Sequence, residues 1–314
     1  MACAFAAVLS APGSASAQGT LSKEGALFLL VPIGARAVGT GQAVAAGQPA
    51  GEGLWWNPAS LARLEKTELS LSHSQNIIGT GDALTLVKPT GRAGVVAVGA
   101  YQFTTGPQDA TDQYGVTGTL NPRDIILAAS YSATFGARVS AGIVFKFLQD
   151  RLDCTCGIPT QSASTNALDA GLQAVVDSAR RITVGVVLRN LGPRLQFKDN
   201  SQADPLPTRV HFGAQYRVRE VERSLPGGEL RISGEVVARG GLTEPSFRAG
   251  GEFAYKQQYY LRAGFVSGSG DAAGAAVGLG FQRGGIAMDF ARAFGGFSAD
   301  QGQPPAYLTL RFRF

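Results

Sequence analysis

The stretch "GELRISGEVVAR", residues 228–239, alternates apolar and polar side chains. A period of two places successive side chains on opposite faces of a β-strand. One face carries Leu230, Ile232 and Val236, and the other carries Arg231, Ser233, Glu235 and Arg239. The stretch therefore predicts a strand with one apolar and one polar face.

Fourteen segments of this kind follow one another from about residue 67 to the end of the chain. Alternation alone fits a soluble sandwich with an apolar core as well as a membrane barrel with a polar lumen. The connections, however, alternate between tight turns, such as 135–138 and 256–258, and long segments, such as 104–124 and 190–207. Short turns at one end and long loops at the other are typical of outer-membrane barrels.

The chain ends in "AYLTLRFRF", residues 306–314, with Leu308, Leu310, Phe312 and Phe314 on one face. A terminal aromatic on an alternating last strand resembles the signal that the barrel-assembly machinery reads in outer-membrane proteins. We therefore predict an all-β fold: a transmembrane antiparallel β-barrel of about 14 strands, residues 67–314, in contact with lipid in the bacterial outer membrane.

The first seventeen residues, "MACAFAAVLSAPGSASA", are small and apolar and end in Ala15-Ser16-Ala17. This pattern predicts a signal peptide over residues 1–17. Its removal would take Cys3 and leave Cys154 and Cys156, for which we expect a loop disulfide or two free thiols rather than a metal site.

Composition narrows the function classes. The chain is 16% charged, carries 42 glycines and has a formal net charge of +5. The lysines and arginines are scattered singly through alternating segments, which argues against a nucleic-acid partner.

Residues 18–66 do not alternate. Asn57 is a good N-cap and Pro58 suits a first helical turn, so residues 57–65 predict a short helix with Leu61 and Leu64 on one side. An irregular backbone cannot lie exposed in hydrocarbon. The segment must therefore sit inside the barrel as a plug or below it as a periplasmic cap.

Two motifs resemble the PorV/PorQ family, relatives of the FadL-type fatty-acid transporters. The first runs from residue 34 to 62 and the second from 186 to 216. The matching residues are Gly34, Arg36, Gly39, Gly41, Trp56, Asn57, Pro58 and Ala59 in the first, and Asn190, Leu191, Gly192, Leu206 and Pro207 in the second. An acidic pair usual in the family is reduced here to Glu52.

The resemblance implies a fourteen-stranded barrel with residues 18–66 as a lumenal plug or hatch. The plug or gate residues that it implies are Gly34, Arg36, Gly39, Gly41, Trp55, Trp56, Asn57 and Pro58.

The polar faces of the predicted strands give a lumen lining of mixed charge. Its members are Asp169, Gln173, Arg209, His211, Gln215, Arg217, Arg231, Glu235, Arg239, Arg248, Glu252, Arg262, Asp289 and Arg311. Opposite charges could pair across the bore and against the plug, which favours an occluded barrel over an open pore; alternatively, they only solvate the interior.

Nothing in the sequence predicts an enzyme, a cofactor or a metal centre. His73 shares a face with Leu69 and Leu71, which predicts a lipid-interface position, and His211 fits a polar lining. A catalytic triad would need a serine, a histidine and an aspartate or asparagine together, and only these two histidines are available. Gly39-x-Gly41 lacks the third glycine of a nucleotide-binding fingerprint.

Three functions remain open. The closer family resemblance implies type IX-like protein secretion or surface delivery, with exported proteins as partners. The wider FadL resemblance implies transport of small hydrophobic ligands, and a structural or porin-like role is the third. An apolar pocket lined by Phe197 and the aromatics of 294–307 would favour transport.

Overall fold

The computed structural model describes residues 24–47, 50–157, 159–197, 203–239, 242, 245–268, 273–295 and 302–314. The predicted signal peptide, residues 1–17, lies outside the described residues.

Fourteen of the strands described form a closed antiparallel barrel, because β15 pairs with β1 and β3 pairs with β5. The short strand β4 pairs only with the outer part of β5. The strands are β1 (Glu68–Asn76), β2 (Gly79–Pro89), β3 (Val95–Thr104), β4 (Gln108–Asp112), β5 (Gly115–Phe135), β6 (Val139–Cys154), β7 (Gln161–Val175), β8 (Ile182–Leu191), β9 (Arg209–Val218), β10 (Gly228–Arg239), β11 (Ser246–Tyr255), β12 (Tyr259–Val266), β13 (Gly274–Arg283), β14 (Ile286–Phe294) and β15 (Ala306–Arg313). The predicted fold class and strand number are confirmed.

Residues 104–124 were expected to be one long loop, and this expectation is wrong. Gln108–Asp112 pairs with the first residues of β5, which continues to Phe135. The β6 strand likewise extends to Cys154, which forms a disulfide with Cys156. These extensions lie beyond the barrel wall, where both faces of a strand meet water, so their sequence lacks the alternation that marks a strand elsewhere.

The apolar faces of the barrel strands point outward. Val98, Ile143 and Leu279 are 53%, 58% and 58% exposed, whereas their neighbours Ala97, Val144 and Gly278 are buried. On the last strand, Leu308 faces outward while Thr309 and Arg311 are buried. An apolar outer surface around a closed barrel is what a membrane-spanning barrel requires.

The two ends of the barrel differ. The short-turn end carries both barrel termini and the tight connections, together with α3 (Arg219–Ser224) in its one longer turn. The long-loop end carries the β4–β5 extension and the described residues of the connection between β8 and β9, 192–197 and 203–208. No helix among the described residues has the length and hydropathy to cross a membrane.

The described part of residues 24–66, the N-terminal segment, packs against the inner face of the barrel wall. The segment contains α1 (Ala35–Gly39), α2 (Gly53–Trp56) and three 3-10 helices, Leu27–Leu30, Ala50–Glu52 and Pro58–Arg63. The α1 helix packs against β12 to β15, and the last 3-10 helix packs against β5 to β7 on the far side.

Candidate functional site

Inward-facing glycines bring the N-terminal segment against the barrel wall. A Cβ atom added at Gly185 would lie 2.1 Å from the carbonyl oxygen of Ala45, and one at Gly250 would lie 2.1 Å from that of Thr40. At Gly278 it would lie 3.0 Å from the Cα of Gly39. The predicted plug residue Gly39 is thus in direct backbone contact with β13, and the wall has no space for side chains at these positions.

A chain of buried ion pairs joins the N-terminal segment to β11, β12, β14 and β15. Arg36 donates two hydrogen bonds to Glu252, at 2.9 and 2.8 Å. Glu252 also accepts from Arg262 at 2.7 Å, and Arg262 donates to Asp289 at 2.7 Å. Arg311 donates to Asp289 at 3.1 and 2.5 Å. Charges predicted for the lumen therefore pair with one another and with the segment.

Glu52 organises the start of α1. Its carboxylate accepts the backbone N–H of Arg36 at 3.3 Å and that of Ala37 at 3.0 Å. Gly34 allows this approach, because a side chain there would overlap Glu52 and because its φ of +95° disfavours other residues. Burial raises the pKa of Glu52 to about 7, and the nearby Asp289 charge adds to the effect.

Trp55, Trp56 and Asn57 fix the middle of the segment. The indole of Trp55 donates to the Thr85 hydroxyl at 2.9 Å, and that of Trp56 donates to the carbonyl of Ile33 at 2.8 Å. Asn57 is the N-cap of the 3-10 helix that starts at Pro58, since its side-chain oxygen accepts from Ala59 at 3.0 Å. Its amide also donates to the carbonyl of Ala45 at 2.5 Å, which ties two turns of the segment together.

A second polar cluster lies at the Asn190 motif. Lys146, which the sequence did not single out, lies 2.5 Å from Asp169 and donates to Asn190 at 3.0 Å. The backbone N–H of Asn190 donates to Asp169 at 2.8 Å, and its side chain donates to the carbonyl of Pro207 at 3.2 Å. The two halves of the second sequence motif therefore meet at Asn190, whose carbonyl also accepts the Thr208 hydroxyl at 3.0 Å.

Four further predicted lining residues pair with carboxylates. His211 Nδ1 lies 2.7 Å from Glu235, and Arg209 makes an ion pair with Glu24 of the N-terminal segment at 2.7 Å. Arg231 lies 2.5 Å from Glu229. Arg217, near the short-turn end, pairs with Glu222 of α3.

The long-loop end encloses a cavity of about 570 Å³, the mouth cavity. The N-terminal segment forms one side of it through Leu27, Leu30 and residues 31–33. Trp55 and Trp56 also line it, and its other walls are the ends of β8 to β12 with Tyr307. Of the predicted pocket residues, Tyr307 lines it and Phe197 does not, while 296–301 lie outside the described residues.

A separate cavity of about 660 Å³ opens at the short-turn end. Arg63, Leu64, Pro89 and Arg92 are among its lining residues. It shares no lining residue with the mouth cavity.

Each histidine contacts a carboxylate, and neither is hydrogen-bonded to a serine hydroxyl in the described part of the chain. His73 faces outward, 2.7 Å from Asp82, and its side chain is 52% exposed, which agrees with the predicted lipid-interface position. Within the ranges that the structure covers, no three His, Cys, Asp or Glu side chains group in a way that could hold a metal ion.

Comparisons with known proteins agree with the architecture. No protein-family model matches the chain, and no curated protein matches it. Among solved structures, the Ralstonia pickettii toluene transporter TbuX matches at a TM-score of 0.58 and 13% identity, covering 90% of this chain and 98% of its own. The CymD monoaromatic hydrocarbon channel matches at a TM-score of 0.60 and 13% identity, and the match covers 91% of this chain and 98% of CymD. A Pseudomonas aeruginosa FadL homologue matches at a TM-score of 0.53 and 12% identity, and the match covers 90% of this chain and 98% of the homologue.

These proteins are transporters and channels rather than enzymes. At such identities the likeness concerns the fold, and the apolar outer surface agrees with the predicted outer-membrane location. The chain has the fold of the bacterial outer-membrane barrels that include TbuX, CymD and a FadL homologue.

Proposed function

We propose that this protein is an outer-membrane channel that admits small hydrophobic molecules. The mouth cavity carries the proposal: it opens at the long-loop end, its volume of about 570 Å³ suits a small ligand, and the N-terminal segment supplies apolar lining. The likeness to channels for toluene and monoaromatic hydrocarbons supports the same choice.

We propose that passage requires the N-terminal segment to move, because the two cavities share no lining residue and the segment packs against β5 to β7 and β12 to β15. Gly39 and Gly41 hold the middle of the segment on the wall, whereas Leu27 and Leu30 are 51% and 42% exposed. We propose that the segment acts as a gate and that residues 24–33 move first, since they pack less tightly.

Uptake of radiolabelled toluene by liposomes containing the purified protein tests this function. Leu30→Trp places a large side chain in the mouth cavity, so we expect slower uptake. Leu225→Trp is the matched control, because Leu225 is 41% exposed and does not line that cavity. Equal toluene uptake by protein-free liposomes and by liposomes with the wild-type protein would contradict the function.

Membership of the PorV/PorQ family and a role in protein secretion form a second proposal. It rests on residues 34–59 and 190–207, whose motifs meet the wall at Gly39 and at Asn190. Exported proteins would then bind at the long-loop end. Mass spectrometry of proteins retained on the barrel after mild extraction from the native outer membrane tests it: exported proteins sharing a C-terminal domain support it, and their absence contradicts it.

A further inference from the structure

Exposed positive charge is concentrated at the short-turn end of the barrel. Each strand connection at that end contains an exposed lysine or arginine or directly follows one. We call these six residues the cationic rim: Arg92, Arg138, Arg180, Arg219, Lys256 and Arg283. At the long-loop end, the exposed bases of the described residues are Arg123, Arg151, Arg194 and Arg292, and they are balanced by exposed Asp82, Asp109, Asp112 and Asp204. The two ends of the barrel therefore differ in charge as well as in loop length.

The carboxylates near the cationic rim do not neutralise it. Asp177 pairs with Arg181, and Glu222 pairs with Arg217, and neither of these arginines belongs to the rim. No rim residue makes an ion pair with a residue that the structure describes. The rim therefore presents uncompensated positive charge to a partner outside the chain.

Some bases at this end lie on the lipid-facing side of the barrel wall. Arg283 shares the outward face of β13 with Leu279 and Phe281, because side chains two residues apart point the same way. Lys88, at the end of β2, continues the outward face of Leu86 in the same manner. A charged side chain at the end of an apolar, lipid-facing strand places its charge at the level of the lipid head groups.

Aromatic side chains lie beside these charges. Tyr259 and Phe281 are partners across β12 and β13, and their ring centroids are 5.5 Å apart. Both rings are exposed on the outer face of the barrel, as are Phe135 and Phe314 at the same end. Outer-membrane barrels carry such aromatic girdles where the hydrocarbon meets the head groups. The aromatic residues therefore place the cationic rim at the surface of the bilayer.

Lys256 and Arg283 flank the Tyr259–Phe281 pair. The turn that contains Lys256 lies next to the end of β13, because the backbone N–H of Gln282 donates to the carbonyl of Gln258 at 2.7 Å. The Nζ atom of Lys256 lies 5.2 Å from the centroid of the outward-facing Tyr255 ring, which keeps the ammonium group on the outer side of the barrel. Two cations therefore border one aromatic surface.

We propose that the cationic rim binds anionic phospholipids of the periplasmic leaflet. In the best-formed site, a lipid phosphate lies between Lys256 and Arg283, and an acyl chain lies against Tyr259 and Phe281. Short turns of outer-membrane barrels face the periplasm, and a phospholipid joins a negative phosphate to apolar chains in one molecule. A soluble acidic partner would match the charge but would leave the lipid-facing aromatic rings unused.

A second site of the same kind lies at the connection between β2 and β3. Lys88 faces outward and Arg92 lies in the turn, while the hydroxyl of Tyr131 donates to the carbonyl of Ala93 at 2.6 Å. Two bases again lie beside an exposed aromatic ring. The inference concerns the lipid around the barrel and does not depend on the proposed transport function.

The test is a titration of the full-length protein in detergent with phosphatidylglycerol or phosphatidylcholine of identical chains, followed by native mass spectrometry. The first phosphatidylglycerol should bind at least about fivefold more tightly, which is the factor that one nearby cation supplies. In Lys88→Gln/Arg92→Gln/Lys256→Gln/Arg283→Gln, this preference should fall to near unity while phosphatidylcholine affinity is retained. Equal affinities of the wild-type protein for the two lipids would overturn the proposal.

The matched control removes the same number of charges at the other end, in Arg123→Gln/Arg151→Gln/Arg194→Gln/Arg292→Gln. This variant should keep the preference, and an equal loss in both variants would overturn the assignment to the cationic rim. Salt tests the wild-type protein without any substitution. The preference should disappear in 1 M salt, where screening reaches about 3 Å, and a preference that salt does not change would contradict an electrostatic site.

Purified peptidoglycan sacculi test for a cell-wall partner at the same surface. Sedimentation of the wild-type protein with sacculi, lost in the rim variant while both proteins bind the two lipids alike, would assign the rim to the cell wall and overturn the lipid proposal. Failure of this proposal would leave hydrophobic transport intact, because toluene uptake is measured independently of lipid preference.

Discussion

Gly264 in β12 and Gly41 in the N-terminal segment are in backbone contact: a Cβ atom added at Gly264 would lie 2.1 Å from the nitrogen of Gly41. Gly41 itself has a φ of +61° and faces the carbonyl oxygen of Ala249. The wall and the segment fit each other through main-chain atoms, which cannot move aside as a flexible side chain can.

Gly264→Ala should therefore displace the segment, at a cost of about 1–3 kcal/mol or more from overpacking. We expect faster cleavage of residues 24–66 by thermolysin and a lower Tm. Gly234→Ala is the control, since a Cβ atom there meets nothing within 4 Å. The same cleavage rate in both variants would refute the close fit.

The Arg36–Glu252 pair provides a second test of how the segment is held. Glu252→Gln leaves Arg36 and Arg262 without their shared carboxylate, and breaking a buried pair costs about 3–5 kcal/mol. Differential scanning calorimetry should show a clearly lower Tm. Glu222→Gln, which removes the half-exposed partner of Arg217, should cost at most about 1 kcal/mol. Equal effects of the two substitutions would show that the buried chain does not hold the segment.

The barrel could be predicted from the sequence because its strands meet lipid on one face and a polar interior on the other, as in 228–239. A strand whose inner face is apolar or whose outer face meets water does not show this alternation of apolar and polar residues. Lys146 was missed because its inward-facing neighbours, Val144 and Leu148, are apolar and pack in the buried core with residues of the N-terminal segment.

The contacts of the segment could be predicted only in part. Motif residues such as Arg36 and Asn57 carry side chains whose chemistry implies a partner, yet the sequence does not say which residue that partner is. The contacts of the inward-facing glycines were not predicted, because glycine has no side chain that could be assigned to the polar or the apolar face. A glycine at an inward position in the middle of a strand, such as Gly185 or Gly250, is the signal that could have revealed them.

Glu52 predicts a pH dependence of the segment. Its pKa is raised to about 7 by burial, from an ordinary value of 4.5, so the packed state binds the proton more tightly than an exposed carboxyl does. The contribution of Glu52 to packing should be fully present below pH 4.5 and should be lost as the pH rises through about 7. Hydrogen exchange of the Arg36 and Ala37 amides should accordingly increase between pH 5.5 and 8 beyond the intrinsic rate.

Glu52→Gln should remove this extra pH dependence, because the side chain no longer titrates. Glu65→Gln, at an exposed position, should leave it in place. An unchanged pH profile in Glu52→Gln would mean that another group is responsible.

The Glu24–Arg209 pair should control the opening of the mouth cavity. It joins the start of the N-terminal segment to β9 by two hydrogen bonds, and the adjacent Gly25 donates to the carbonyl of Pro205 at 3.0 Å. The side chains of Arg209 and Glu24 are only 13% and 15% exposed, so losing this ion pair in Glu24→Gln should cost more free energy than losing a surface pair. The substitution should therefore free residues 24–33. We expect faster toluene uptake into liposomes with an unchanged Tm of the barrel, whereas Glu222→Gln at the opposite end should not alter uptake. Slower uptake in Glu24→Gln would show instead that the pair shapes the open cavity, and residues 24–33 would then not be the gate.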